Sequence, residues 1–532
     1  MFMRVFSHAP SSIFRRGSVL TVCFWVFALV AAYVTAGYIV SNDLTGLAFL
    51  SMAFVGGAFI VAILNNWRNG LYLFLAWLLF EDYARKFLGN NMAIYFAKDF
   101  LVAVVYLSFF VAFRRKDKDL QGFRPPFLVA LLVLIWFGAM QMFNPASTSV
   151  VFGVLGMKVY FYYVPLLVVG YALINSEEEL RRFFQVNIGL MLIIIGLGIV
   201  QSILGPRFLN PEVLSEDIRL LSQTYRVAPI SGVSVYRPTS VFVSAGRFAN
   251  MLIVAWLLVF GFSGYLLLRH RRGRIFAFLA LATTAAGCLL CASRGVFMWT
   301  LGSSVMGAAA FIWGAPWRQG EALRVLRTLQ RAALGTALAI AVLLFTFPDA
   351  LLNRLAVYSE TLDPTSPTSE LMHRARDYPL QNFLAAFSYE RWPYGYGIGT
   401  VSLGGQYVSR FFRVLPPVPP VESGFGSIVI EMGILGLVFW LIMSAAVSLA
   451  AWKIVRKLKG SPWFPLGFMI FWYAFLLLLP MTFGGFTAYQ DFVMNAYMWL
   501  LLGILFRLPK LALSAQFEAG ASASQPRLPW TS

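Results

Sequence analysis

Apolar runs long enough to cross a bilayer recur along almost the whole chain, and nothing else in the sequence constrains the fold as much. A helix rises about 1.5 Å per residue, so roughly 20 apolar residues span a ~30 Å hydrocarbon layer. Fourteen stretches approach that length: 19–40, 44–64, 70–85, 95–113, 127–143, 154–174, 186–205, 246–268, 275–291, 296–313, 333–352, 424–451, 464–483 and 489–506. The chain is therefore predicted to be an all-α polytopic membrane protein with about 14 transmembrane helices and one large extracytoplasmic loop. A transmembrane barrel would instead show alternating segments of ~10 residues. Charged residues are 12% of the chain, about half the usual share of a soluble protein. The first stretch follows Arg15 and Arg16, outruns a signal-peptide core and lacks a cleavage site, so it reads as an uncleaved helix. Glu81, Asp82, Arg85 and Lys86 interrupt the third.

These stretches divide the chain into a transmembrane bundle at 1–352, the large loop at 353–423, a closing set of helices at 424–506 and a tail at 507–532. The tail is rich in Ala, Ser, Gly and Pro and reads as disordered. Sidedness follows from the Lys and Arg of the loops. With both termini in the cytoplasm, the inner face holds 26 of the 42 Lys and Arg and 7 of the 23 Asp and Glu, a net charge of +19. The outer face holds 16 of each sign and is neutral. The basic balance is thus a topology signal and points to no nucleic acid. No cytoplasmic segment is large enough for a nucleotide-binding domain, which disfavours nucleotide-driven chemistry on that side.

Six ionisable residues fall just inside outer helix ends: Asp99, Lys158, Arg247, Arg294, Glu431 and Asp491. Charges at that depth are costly and persist where they have a partner or a task. Guanidinium groups grip phosphate oxygens in a planar, bidentate way. A cluster of them at headgroup level suits a lipid with an anionic head. The plainer alternative is snorkelling, or pairing with Asp99, Glu431 or Asp491. Arg294, in the tight Ala-Ser-Arg-Gly turn, is the strongest functional candidate. Cys23, Cys288 and Cys291 all lie in apolar stretches and read as small hydrophobic filler. Asp117-Lys-Asp119 sits in a short basic cytoplasmic link and reads as a solvated charge run. Gly395-x-Gly397-x-Gly399 lacks the strand–turn–helix setting of a dinucleotide site. Glu81, Asp82 and Asp99 form at most a loosely spaced cation site. No metal or cofactor is called for.

Within the large loop, Leu380, Phe383, Leu384 and Phe387 repeat at helical spacing from Pro379, which predicts an amphipathic helix lying on the outer surface or capping a cavity. Before it comes His373-Arg374-Ala-Arg376-Asp377, where the histidine reads as solvated. Pro416–Pro420 stiffens the return to the membrane. Glu422 stands at the mouth and Glu431 lies deeper, about 13–14 Å further along a helix.

At these residues the chain resembles the O-antigen ligase and O-antigen polymerase superfamily of bacterial envelope glycosyltransferases, most strongly over about 285–440. Ala-Ser-Arg294-Gly resembles the family's Ser-Arg-Gly turn. Trp392-Pro393-x-Gly395-x-Gly397-x-Gly399 is similar to a segment of its large outer loop. Glu431-Met-Gly433-Ile-Leu-Gly436-Leu is similar to its Glu-x-Gly-hydrophobic-x-Gly. Arg237-Pro-Thr-Ser-Val-Phe and Arg247 resemble the segment before the eighth helix in exopolysaccharide polymerases. Lipopolysaccharide ligases carry His-Asn nine residues before that Glu; Glu422-Ser423 stands here and is closer to polymerases. The resemblance implies a metal-independent, inverting transfer from an undecaprenyl-pyrophosphate-linked oligosaccharide, at the outer face of the bacterial inner membrane. Glu422, Arg294 and Arg247 are then the catalytic candidates. Arg237, Lys158, Arg374, Arg376 and Glu431 are the substrate-binding ones. A membrane lipid, a chain-length regulator and a flippase are the partners it suggests. Three alternatives stay open: a ligase acting on a lipid acceptor, a transporter of lipid-linked sugars, and a metal-dependent transferase. The last would have only Asp43 in its first outer loop.

Overall fold

The computed structural model describes residues 29–524, apart from 31, 89–91, 117–122, 212–215, 270–272, 317–320, 364–371 and 486. Half of the 19–40 stretch and the end of the tail lie outside the described residues. In chain order the main helices are α1 (Leu44–Asn65), α2 (Trp67–Phe87), α3 (Met92–Lys116), α4 (Leu128–Gln141), α5 (Val150–Phe161), α6 (Leu166–Leu173) and α7 (Glu177–Leu204). A small antiparallel hairpin follows, β1 (Tyr225–Val227) and β2 (Ser234–Tyr236), with Arg226 opposite Val235. Then come α8 (Ala245–Arg269), α9 (Arg274–Leu290), α10 (Arg294–Gly314), α11 (Glu321–Thr346), α12 (Pro348–Leu362), α13 (Tyr378–Ala385), α14 (Gly424–Lys457), α15 (Phe464–Leu478) and α16 (Phe492–Ser524).

Among the described residues, eight helical segments are long and apolar enough to cross a membrane, and three shorter apolar helices accompany them. That is fewer than the fourteen spans expected from the sequence. α2 is too charged to count among the eight, yet it is one unbroken helix in which Glu81, Asp82, Arg85 and Lys86 are all buried. α4 and α9 are only 14 and 17 residues long. The helix expected over 333–352 is interrupted at Phe347: α11 ends at Thr346, and α12 carries on from Pro348 to Leu362, into the segment expected to be loop. Together the observations define a multi-pass, all-α membrane protein.

α8 is the central element: α7, α9, α10, α15 and α16 all pack on it. α6 and α16 pack so closely that a methyl group at Gly170 would sit 2.1 Å from the Leu500 carbonyl, and one at Gly503 2.1 Å from that of Leu167. Small residues allow such backbone contact where lipid offers no hydrophobic drive. Pro165 separates α5 from α6, since it has no N–H to give. The last carbonyls of α5 are taken up from across the bundle. Tyr489 donates its hydroxyl to Tyr160 O at 2.8 Å, and Asn495 donates to Val159 O at 3.2 Å. Inside a membrane this compensation is obligatory.

α14 contains a break. Gly433 has φ +70 inside an otherwise continuous helix. The glycine-rich loop enters the gap: the N–H groups of Tyr396 and Gly397 donate to the carbonyls of Ile430 (2.8 Å) and Glu431 (2.9 Å). The Glu431 carboxylate, fully buried, accepts from Val401 N (3.0 Å) and Ser402 Oγ (2.8 Å). The freed carbonyls of the broken helix are thereby satisfied by the chain itself.

Candidate functional site

A cleft of about 620 Å³ opens between α8, α10 and α15. Its walls are largely apolar and include Ile253, Trp299, Met306, Trp472 and Leu476. Two arginines, Arg226 and Arg294, stand on its lining together with Asn250 and Ser293. Arg294 was singled out from the sequence. Arg226 was not, because a charge in a three-residue strand looks like any solvated side chain.

Local structure fixes Arg294. It is the first residue of α10, and Ser293 caps that helix by accepting from Val296 N. The cap is preceded by Ala292 at φ +50, a left-handed conformation that costs a non-glycine residue about 1–2 kcal/mol. The strain is held in place because the Ala292 methyl is fully buried in a small cluster with Ala228, Val235 and Val357. Arg294 Nη2 donates to Val227 O on the hairpin at 3.1 Å. The hairpin turn is tied in turn to α12: Glu360 Oε2 accepts from Ile230 N (2.7 Å) and Ser231 N (3.0 Å). Bonds from the Ser231 hydroxyl and the two amides hold the Glu360 carboxyl below its ordinary pKa, helped by the charge of Arg294. A lowered carboxyl keeps its charge through the neutral range. The tie is lost only as the pH falls below the usual carboxylate range.

The other sequence candidates lie elsewhere. Arg247 pairs with Asp82, and its Nε lies 3.8 Å from Asp491. Lys158 pairs with Asp99 at 2.6 Å, and Lys98 with Glu81 at 2.9 Å. Arg85 joins Asp82 at 2.9 Å. These buried pairs are the pairing alternative weighed from the sequence, with Asp82 added as a partner. They also take up Glu81, Asp82 and Asp99, the loosely spaced cation site. Neither Arg247, Lys158 nor Arg237 lines the cleft, although Asn250, one turn beyond Arg247 on α8, does. Arg376 is exposed and pairs with its neighbour Asp377 at 2.8 Å. The side chain of Arg374 lies outside the described part of the structure. His373 rests against Tyr378 with ring centroids 5.8 Å apart. Glu431 secures the loop, as described above.

Glu422 is exposed and is not on the lining of the cleft. Its N–H donates to Asn382 Oδ1 at 3.3 Å, and the next residue, Ser423, donates its hydroxyl to Phe483 O at 3.0 Å. Pro480, Met481, Phe483 and Gly484 form one wall of the cleft. The amphipathic helix expected from the sequence is α13. Its Pro379 lines the cleft and Phe383 meets Phe483 with centroids 6.0 Å apart, while Leu380 and Leu384 stay exposed.

Gln201 is a further residue that the sequence did not reveal. Fully buried, it accepts from Thr239 N (2.8 Å) and Ser240 N (2.7 Å) and donates to Phe208 O (2.7 Å). It thereby fixes the Arg237-Pro-Thr-Ser segment. Gln201→Leu strips partners from two buried amides and one part-buried carbonyl, so the protein is expected to lose roughly 2–4 kcal/mol of stability. An unchanged thermal midpoint in detergent would count against this.

No known protein family matches the chain, and no curated protein does.

Proposed function

We propose that the protein is a membrane glycosyltransferase that polymerises polyprenyl-pyrophosphate-linked oligosaccharide repeat units into a surface polysaccharide or exopolysaccharide, on the outer face of the cytoplasmic membrane. The observation that carries this reading is the pairing of two arginines with a deep apolar cleft between membrane helices. Such a site suits an amphiphile with a phosphate head and a long hydrocarbon tail. The order and sidedness of the Ser-Arg-Gly, glycine-rich and Glu-x-Gly segments add to it.

In this reading Arg294 and Arg226 hold the pyrophosphate. An acceptor hydroxyl attacks the anomeric carbon of the donor sugar as the bond to the pyrophosphate oxygen breaks. The two guanidinium groups stabilise the charge that gathers on the leaving group. Glu422 takes the hydroxyl proton. α13 covers the cleft. Arg247 keeps the base of α8 in register through Asp82 and Asp491.

A transporter would also use a broken membrane helix. Here the break at Gly433 is filled by Tyr396 and Gly397, which leaves no open backbone site for a solute. Purified protein in liposomes, given a polyprenyl-pyrophosphate-linked oligosaccharide and a chelator, is expected to lengthen the glycan without moving it across. Transport with no lengthening would overturn the reading. Glu422→Gln is expected to slow elongation roughly 10²-fold or more at unchanged donor affinity, the usual size of a lost general base. Wild-type rates would remove Glu422 from its role.

A further inference from the structure

Glu360 has no part in the chemistry just described, yet it is joined through the hairpin to both cleft arginines. We infer that Glu360 is a positioning residue: it holds the β1–β2 hairpin in the one placement where Arg226 and Arg294 converge on a pyrophosphate. The inference rests on the reading of the cleft as a pyrophosphate-lipid site.

The hairpin cannot hold itself. Its strands are three residues each, and an isolated two-stranded ribbon is marginal in water. Its underside contributes only Ala228 and Val235, with Val233 beside them, to the cluster with Ala292 and Val357. The tip of the turn has no apolar anchor, since Ile230 is 54% exposed. What ties the tip to α12 is Glu360, which engages two successive N–H groups through one oxygen. β1 runs from that anchored turn. It carries Arg226 into the cleft and offers the Val227 carbonyl to Arg294. The next residue of α12, Thr361, itself lines the cleft. One carboxylate therefore ties the hairpin to the wall it must face. Releasing the turn moves Arg226 away and takes the acceptor from Arg294, although neither arginine is altered. Sequence gives no sign of this, because Glu360 and the turn are 130 positions apart.

The experiment measures binding of farnesyl pyrophosphate to the detergent-purified full chain, with farnesol as the uncharged control. Glu360→Ala is expected to weaken farnesyl pyrophosphate about tenfold, and Glu360→Gln, which keeps an acceptor oxygen, about threefold. Farnesol should bind all forms alike. Hydrogen exchange over residues 225–236 should accelerate in the same order while the helices stay protected. Equal loss in both variants, loss in neither, or an unchanged hairpin would overturn the positioning role. Should Glu360→Ala fail to accumulate, the Glu360→Gln affinity and its hairpin exchange decide the matter together. Arg294→Ala separates this inference from the reading beneath it. If Arg294→Ala binds weakly while Glu360→Ala binds normally, only the positioning role falls. If Arg294→Ala binds farnesyl pyrophosphate as wild type does, the pyrophosphate site falls with it.

Discussion

On the proposed function, Arg294→Ala is expected to abolish visible polymer and leave lipid-linked repeat units to accumulate, with elongation reduced about 10²–10³-fold, the usual effect of removing one donor to a developing anion. The size follows from position. Arg294 stands at the first turn of α10 with its guanidinium beside the cleft, and among the described residues Arg226 is the only other arginine on the lining. Stability should change little, because Ser293 and not Arg294 caps the helix. Arg294→Lys keeps the charge but loses the planar fork, so it should fall between the two, about tenfold below wild type. Polymer yield and chain length, read at matched protein level, provide the check. Normal polymer in Arg294→Ala at normal abundance would remove the cleft from the reaction.

Gly399→Ala is expected to unseat the glycine-rich loop altogether. Gly399 has φ +89, where an L side chain is strained. A methyl group there would also lie 1.9 Å from Phe152 O and 2.6 Å from Gly156 N. Both contacts are backbone of α5, so nothing nearby can rotate aside. Strain and overlap together should exceed about 4 kcal/mol, which is diagnostic of a special position. The expected signs are a lowered thermal midpoint and new protease cleavage near 393–404. Gly196→Ala is the control: nothing lies within 4 Å of the added methyl, so it should be neutral or gain about 0.5–1 kcal/mol as a helix-interior replacement. A Gly399→Ala protein with wild-type melting and protease resistance would refute the docking.

Much of the helical layout was legible because transmembrane helices announce themselves by length. The stretch 246–268 is α8, Ala245–Arg269, and the return at 424 is the first residue of α14. The loop helix was also legible, since Leu380, Phe383, Leu384 and Phe387 keep helical spacing in polar surroundings. α2 was harder, because its charges hide a buried helix from any hydropathy window. The site was legible only where one residue in a tight turn carried the signal, as with Arg294. Arg226, Glu360 and Gln201 act through partners far away in sequence, and no local pattern records such pairs. Lys158 and Arg247 illustrate the converse. Their places near helix ends were legible, but Asp99 and Asp82, which pair with them, belong to other helices.

The break at Gly433 bears on how this chain could be re-engineered or could diverge. A loop that merely sits on a membrane bundle can be exchanged like a cassette. This one supplies hydrogen bonds that a bilayer-embedded helix lacks, and receives a buried carboxylate in return. Swapping 393–404 for a foreign sequence would leave the Ile430 and Glu431 carbonyls bare inside the membrane protein. The exchangeable unit must therefore also include the receiving surfaces near Gln141–Gly156 and Ile430–Ile434. Loop exchange should give a folded protein only when those three stretches travel together.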